Sequence, residues 1–180
     1  MKELSLNILD IAENSVKAKA SLTEILLNEA DGVLTLVIRD NGCGMTEEVV
    51  RGVVDPFYTT RTTRKVGLGL PLLKLAAEMT GGSIEVVSKA AAEYPQDHGT
   101  TVTARFVITH IDCPPLGDVV ETMVTLIQGH PDTDFLFTHK TDARDVMLDT
   151  RELRGVLEDV PLNSYEVLQW IEAFLREQYQ

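Results

Sequence analysis

Cysteine is scarce in this chain of 180 residues, which carries only Cys43 and Cys113. No CxxC and no Cys/His spacing of the zinc-ligand kind is present, so nothing points to a zinc site, and the pattern suits a reducing compartment. Long apolar runs are also missing. No segment approaches 18 consecutive apolar residues and no signal peptide opens the sequence, so the expectation is a cytoplasmic protein without a membrane partner. Cations are few beside anions, 16 Lys and Arg against 28 Asp and Glu, for a net charge of −12. Such a surface repels DNA, RNA and anionic lipid, which excludes nucleic acid as an expected partner. Internal repeats and low-complexity segments are absent. What remains is an ordinary globular composition, 44% apolar and 24% charged, long enough for one domain with a real core or a domain plus a small appendage.

Periodicity predicts a helix over residues 2–18. Leu4, Ile8, Ile11, Ala12 and Val16 recur on one side, while Asp10, Asn14 and Lys17 share a different stripe. Alternating runs at 22–27 and 33–39 flank Asp31-Gly32, a hairpin signal. Thr46 suits the cap of a short helix ending near Val53. Residues 59–69 read as a loop, and Pro71 as the first turn of a helix that Gly81-Gly82 ends. Strands follow at 83–88 and 100–109. Pro114-Pro115 marks a boundary within 111–117. Beyond it the pattern predicts a helix (118–127), strands (134–139 and 144–148) and helices (151–157 and 164–177), the last with Asn163 and Glu166 as a capping box. Its wide apolar set, Val167, Leu168, Trp170, Ile171, Phe174 and Leu175, must be buried in the chain or against a partner. The expected class is α+β. A two-layer α/β sandwich, a mixed sheet with helices on one face, fills residues 1–110, and a small accessory α/β module of unassigned role fills 111–180.

Five segments in order carry the chemistry: LNILDIAENSVKAKA (6–20), DNGCGM (40–45), DPFYTTR (55–61), VGLGLP (66–71) and HGTTVTARF (98–106). Gly67 and Gly69 lie just before the predicted helix start at Leu70 and Pro71, where free backbone N–H groups form an anion site. The cations between Arg61 and Lys65 stand where phosphates would lie. Any one segment matches unrelated loops by chance; five in order do not.

This order resembles the GHKL superfamily of DNA gyrase B, heat-shock chaperone ATPases, sensor histidine kinases and MutL. The resemblance covers residues 1–109, with 55–61 and 67–88 most like the histidine-kinase branch and 13–25 partly like MutL. It implies a Bergerat-type pocket for ATP and a magnesium ion. In that frame Asp40 accepts a hydrogen bond from the adenine amine, and Gly42 and Gly44 let the backbone approach the ring. Thr101, or Thr100 beside it, supports Asp40. Asn14 is the magnesium ligand and Lys17 a phosphate contact. Lys65, Gly67, Leu68, Gly69 and Leu70 belong to the lid and helix start over the triphosphate, Lys65 replacing a glycine of the usual kinase pattern. Asp10 occupies the place where the gyrase and MutL branches put a catalytic glutamate, with one methylene less reach, and is the candidate general base. Glu13 should point elsewhere. Phe57 and Tyr58 are read as packing residues at the lid base.

The helical hairpin that bears the phosphoacceptor histidine of sensor kinases is not in the sequence. His98, His110, His130 and His139 each read as surface or loop residues. The expected function is therefore a stand-alone, histidine-kinase-like regulatory subunit that phosphorylates a separate protein. Two alternatives stand beside it: a slow ATPase that uses ATP as a conformational or homodimerisation switch, and a non-catalytic ATP-sensing module.

Overall fold

The structure, a computed structural model, describes residues 3–55 and 68–180. Helix α1 (Leu4–Lys17) buries Leu4, Ile8, Ile11 and Ala12 together with Ser5, Asn7 and Ser15. Asp10, Asn14 and Lys17 stay exposed along its other side, as the spacing predicts. Strands β1 (Leu22–Ala30) and β2 (Val33–Asp40) form the expected hairpin. Asp31 and Gly32 both adopt positive φ, 52° and 76°, the two-residue turn whose twist matches right-twisted strands. Helix α2 (Glu47–Val53) starts at Thr46, whose hydroxyl accepts from the Val49 N–H. Helix α3 (Gly69–Met79) leads into strands β3 (Ser83–Lys89) and β4 (Gly99–Val107). Then come α4 (Val119–Gly129), β5 (Asp134–Lys140), β6 (Asp145–Asp149), α5 (Thr150–Leu157) and α6 (Tyr165–Gln178).

The six strands among the described residues join one mixed sheet in the order β3-β4-β2-β1-β5-β6. Every pairing is antiparallel except β1 with β5. Side chains alternate across the sheet. One face presents Ile25 and Leu27, Leu36 and Ile38, Ala104 and Phe106, Phe135 and Phe137, and Leu148, all buried in a single core with residues of α1, α3, α4 and α6. The other face carries Glu24, Val37, Arg39, Thr101 and Leu136 and is only partly covered. This is the expected two-layer α+β arrangement. Residues after 110 take part in the same sheet and the same core: β5 lies beside β1, α4 packs on α1 and α6, and the first N–H groups of α1 donate to Pro115 O (2.9 Å) and Leu116 O (2.8 Å).

The apolar stripe of α6 is satisfied within the chain. Val167, Ile171 and Leu175 are buried, and the half-exposed Trp170 stacks on Phe174 at 4.8 Å. The capping box predicted for this helix does not form. Ser164, not Asn163, is the N-cap, and its hydroxyl turns back to donate to Pro161 O at 2.8 Å. Asp118 does cap α4, accepting from the Glu121 N–H at 2.9 Å, and it also receives both Arg176 nitrogens NH1 and NH2 at 3.3 and 2.9 Å. That guanidinium holds the Asp118 carboxyl below the usual carboxylate range. A lowered folded-state pKa gives stability present above the unfolded value and lost as pH falls through the folded one. Asp118→Ala should therefore cost about 1 kcal/mol at pH 7, mostly from the cap because the ion pair is exposed. The gap between variant and parent should shrink under strongly acidic conditions, as denaturant unfolding at the two pH values would register.

Candidate nucleotide site

Four pieces of chain converge at one end of the sheet on its helical side: the last turns of α1, the end of β2 with the turn after it, the N-terminus of α3, and the start of β4. Asp40 ends β2 on the helix-facing side. Its Oδ2 accepts from the Ser15 hydroxyl at 2.7 Å and its Oδ1 from the Gly42 N–H at 2.9 Å. The carboxylate is thus fixed between α1 and the turn, with acceptor capacity to spare, since a carboxylate offers about four lone-pair sites. The turn itself is pressed against the end of α1. Cys43 N donates to Ala18 O at 2.9 Å, and a side chain at Gly42 would meet that same oxygen at 2.7 Å. At Gly44, where φ is 67°, a Cβ would lie 2.0 Å from Lys89 O, so both glycines are sterically required.

Asp40 pairs across the sheet with Thr100, whose hydroxyl shares a 2.7 Å hydrogen bond with Ser88 Oγ. Of the two adjacent threonines, the structure places Thr100 in Asp40's row and turns Thr101 to the opposite face of the sheet. The N-terminus of α3 comes up against the exposed stripe of α1: a Cβ on Gly69 would lie 3.4 Å from Asp10 Cβ and 3.9 Å from Asn14 Nδ2. Leu68 occupies the N-cap without a side-chain cap and Leu70 is buried, and the first N–H groups of any helix lack intrahelical partners. Lys17 stands on the last turn of α1, in line with Asp10 and Asn14. Lys65 and Gly67, like Phe57, Tyr58 and Arg61, lie outside the described residues.

Partial desolvation beside the start of α3 raises the pKa of the Asp10 carboxyl, although the residue as a whole is exposed. The nearby Lys17 opposes that shift and the Glu13 charge adds to it. Glu13 itself is turned away as expected, both its oxygens lying 2.9–3.0 Å from His130 Nε2 beyond the end of α4. No group of three or more His, Cys, Asp or Glu side chains able to hold a metal occurs among the described residues.

Two groups of residues escape the reading of the sequence. Ser15 looks like one more small residue on the buried side of α1, yet it supplies the hydroxyl that orients Asp40. Its signal in the sequence is a polar group on the buried side of α1, which it shares with Ser5 and Asn7. Of the histidines read as surface or loop residues, His98 and His130 do lie in loops, each with a partner, while His139 is corrected to a buried strand residue. His98 Nδ1 meets Gly42 O, so that nitrogen carries the proton. His130 holds Glu13. His139, buried in β5, donates from Nε2 to Glu29 Oε1 (2.7 Å), and its Nδ1 shares a 2.7 Å hydrogen bond with Tyr179 OH. Burial, then the Glu29 charge, pushes the Tyr179 hydroxyl to a higher pKa. His110 remains in an exposed turn.

A family model described as histidine kinase-, DNA gyrase B-, and HSP90-like ATPase matches residues 2–110, more than half of the chain. Among curated proteins, the chain is 32% identical over 96 residues to the sensor protein KdpD of Clostridium acetobutylicum, covering 51% of this chain and 11% of that protein. It is likewise 32% identical over 88 residues to the signal transduction histidine-protein kinase AtoS of Escherichia coli, covering 49% of this chain and 14% of that one. The chain thus spans only a small part of the curated relatives it matches. Among solved structures, the Aquifex aeolicus MutL ATPase domain complexed with ADP superimposes with a TM-score of 0.59 at 15% identity, over 88% of this chain and 70% of that one. That likeness speaks to the fold. No helix among the described residues is long and apolar enough to cross a membrane.

Proposed function

We propose, from the premise that this chain belongs to the histidine kinase-, DNA gyrase B- and HSP90-like ATPase family, that it binds ATP with magnesium at the Asp40 site and serves as a cytoplasmic, stand-alone kinase subunit acting on a separate protein. The observation that carries the nucleotide reading is the Asp40 carboxylate, held by Ser15 and the Gly42 N–H in the row of Thr100 and beside the α1 stripe. A fixed acceptor at a strand end receives the exocyclic amine of adenine and rejects guanine, which presents no donor there. The N–H groups opening α3 and the Lys17 ammonium take the phosphate charge. Asn14 would hold the magnesium ion, which supplies neutralisation of phosphate charge when bound. Asp10 accepts the proton of the attacking hydroxyl or water, and its raised pKa makes it a stronger base than an ordinary aspartate.

The same Asp10 favours a second reading, a slow ATPase, in which water is the attacking group and ATP acts as a switch, with homodimerisation as one outcome. Its short side chain reaches less far than a glutamate, so turnover should be slow. Incubating the intact chain with γ-labelled ATP and the proteins it captures separates the readings. Label on a captured protein supports the kinase, free phosphate the ATPase, and neither product leaves an ATP-sensing module.

Asn14→Ala should weaken ATP binding about tenfold or more in magnesium, the scale of one lost ligand or charged hydrogen bond, and change ADP binding in chelator far less. Calorimetry in both buffers checks this. Equal losses with and without the metal would remove Asn14 from the ion.

A further inference from the structure

The open face of the sheet carries a cleft of about 450 Å³ at the strand ends behind the Asp40 site. Its floor is one register row, Glu24–Arg39–Thr101–Val87, crossing β1, β2, β4 and β3. Lys89 and His98 stand at its rim. Successive strand residues point to opposite faces, so Arg39 and Thr101 face this cleft while their neighbours Asp40 and Thr100 face the helices. Asp40 and Thr100 of the nucleotide site also border this cleft, so it backs onto the nucleotide wall, and the ATP reading gives no role to Glu24, Arg39 or Lys89. Its size lies within the range of roughly 300–1,000 Å³ typical of small-molecule sites.

The chemistry of the walls selects the ligand. Arg39 NH1 donates to Glu24 Oε2 at 2.9 Å, which leaves the other guanidinium donors and the second carboxylate oxygen available. Lys89 Nζ donates to Asp97 Oδ2 at 2.7 Å, again leaving spare capacity of both signs. With Nδ1 of His98 on Gly42 O, its Nε2 is left unused by that bond. A simple anion placed on Arg39 would face the Glu24 charge, and a simple cation placed on Glu24 would face Arg39. A molecule bearing both charges meets neither penalty. We propose that this cleft binds a small zwitterion of the free amino-acid class, its carboxylate on Arg39 and its ammonium on Glu24. Because His98 grips the carbonyl of Gly42 in the turn after Asp40, occupancy of the cleft acts on the nucleotide turn. That effector role, unlike the binding itself, rests on the ATP reading.

The test is an amide NMR titration of the intact chain, without nucleotide, against each of the common free amino acids, with acetate and methylammonium as single-charge probes. At least one amino acid should saturably shift the amides of Arg39, Thr101 and Val87, and bind more tightly than either single-charge probe. Arg39→Gln and Glu24→Gln should each weaken it by about tenfold or more, the loss of one charged hydrogen-bond pair. Both residues are on the open face, so the spectra of the variants also report that the fold is kept. The site is overturned if no amino acid shifts those amides, if acetate alone binds as tightly, or if both variants bind as the parent does. Repeating an ATP titration with the amino acid present tests the effector role. A changed ATP affinity supports it and an unchanged one overturns it. Failure of ATP to bind at all would strike the nucleotide reading and leave the zwitterion result standing.

Discussion

Asp40→Asn should lower ATP affinity by about ten- to a hundredfold, the equivalent of losing one charge-assisted hydrogen bond of roughly 1.5–3 kcal/mol. The fold should survive. The Gly42 N–H can only donate, so the new amide must point its oxygen there. Its NH₂ then faces Ser15, whose hydroxyl can rotate to accept instead of donate. Both local bonds persist, and what disappears is the negative acceptor for the adenine amine. Calorimetry with ATP, alongside a thermal melt, separates the two effects. Unchanged affinity would remove Asp40 from the site, and a collapsed melt would show that it is chiefly a structural residue.

Deleting residues 111–180 should have the largest effect on stability. The cut removes β5 from the flank of β1, turning a central strand into an open edge prone to pair with other chains. It strips Pro115 O and Leu116 O from the first turn of α1. It also uncovers core side chains such as Leu4, Ile8, Ile25 and Leu27, which share the cluster with Met123, Phe135, Phe137 and Ile171. Large apolar side chains lose about 1.5–3 kcal/mol each when exposed, so a few of them account for most of a typical domain's 5–15 kcal/mol. We propose that residues 1–110 retain every nucleotide group yet unfold at much lower temperature or aggregate. Calorimetric melting and sedimentation of the truncated chain decide it. If the fragment melts like the whole, residues 111–180 are a separable module whose role lies with a partner.

Much of this architecture is legible in the sequence because its signals are local. The β1–β2 hairpin follows from two alternating runs around Asp31-Gly32, and the exposed stripe of α1 from helical spacing. Alternation says which face a residue occupies but not which strand lies beside it. The parallel joining of β1 to β5, more than a hundred residues away, is therefore invisible from periodicity. The choice between Thr100 and Thr101 was within reach. Val102, Ala104 and Phe106 mark the buried face of β4, and counting back by twos selects Thr100. His130 and His139 were out of reach, because Glu13 and Glu29, the carboxylates they engage, are 117 and 110 residues distant. The capping box failed for a different reason: Asn163 and Ser164 are both good cap residues, and only the path of the chain from Pro161 picks the second.

The central claim is that ATP sits on the helical side of the sheet, between the end of α1, the turn after Asp40 and the start of α3. Its most direct test is the amide spectrum of the intact chain titrated with ATP and magnesium. The account predicts that the shifts cluster at Asp10 to Lys17, Asp40 to Gly44, Gly69 to Leu72 and Gly99 to Thr100, with β5 and β6 quiet. It further predicts that GTP at the same concentration leaves the Asp40 to Gly44 amides unmoved. Shifts confined to the open face around Glu24, Arg39 and Val87, or equal responses to both nucleotides, would contradict it.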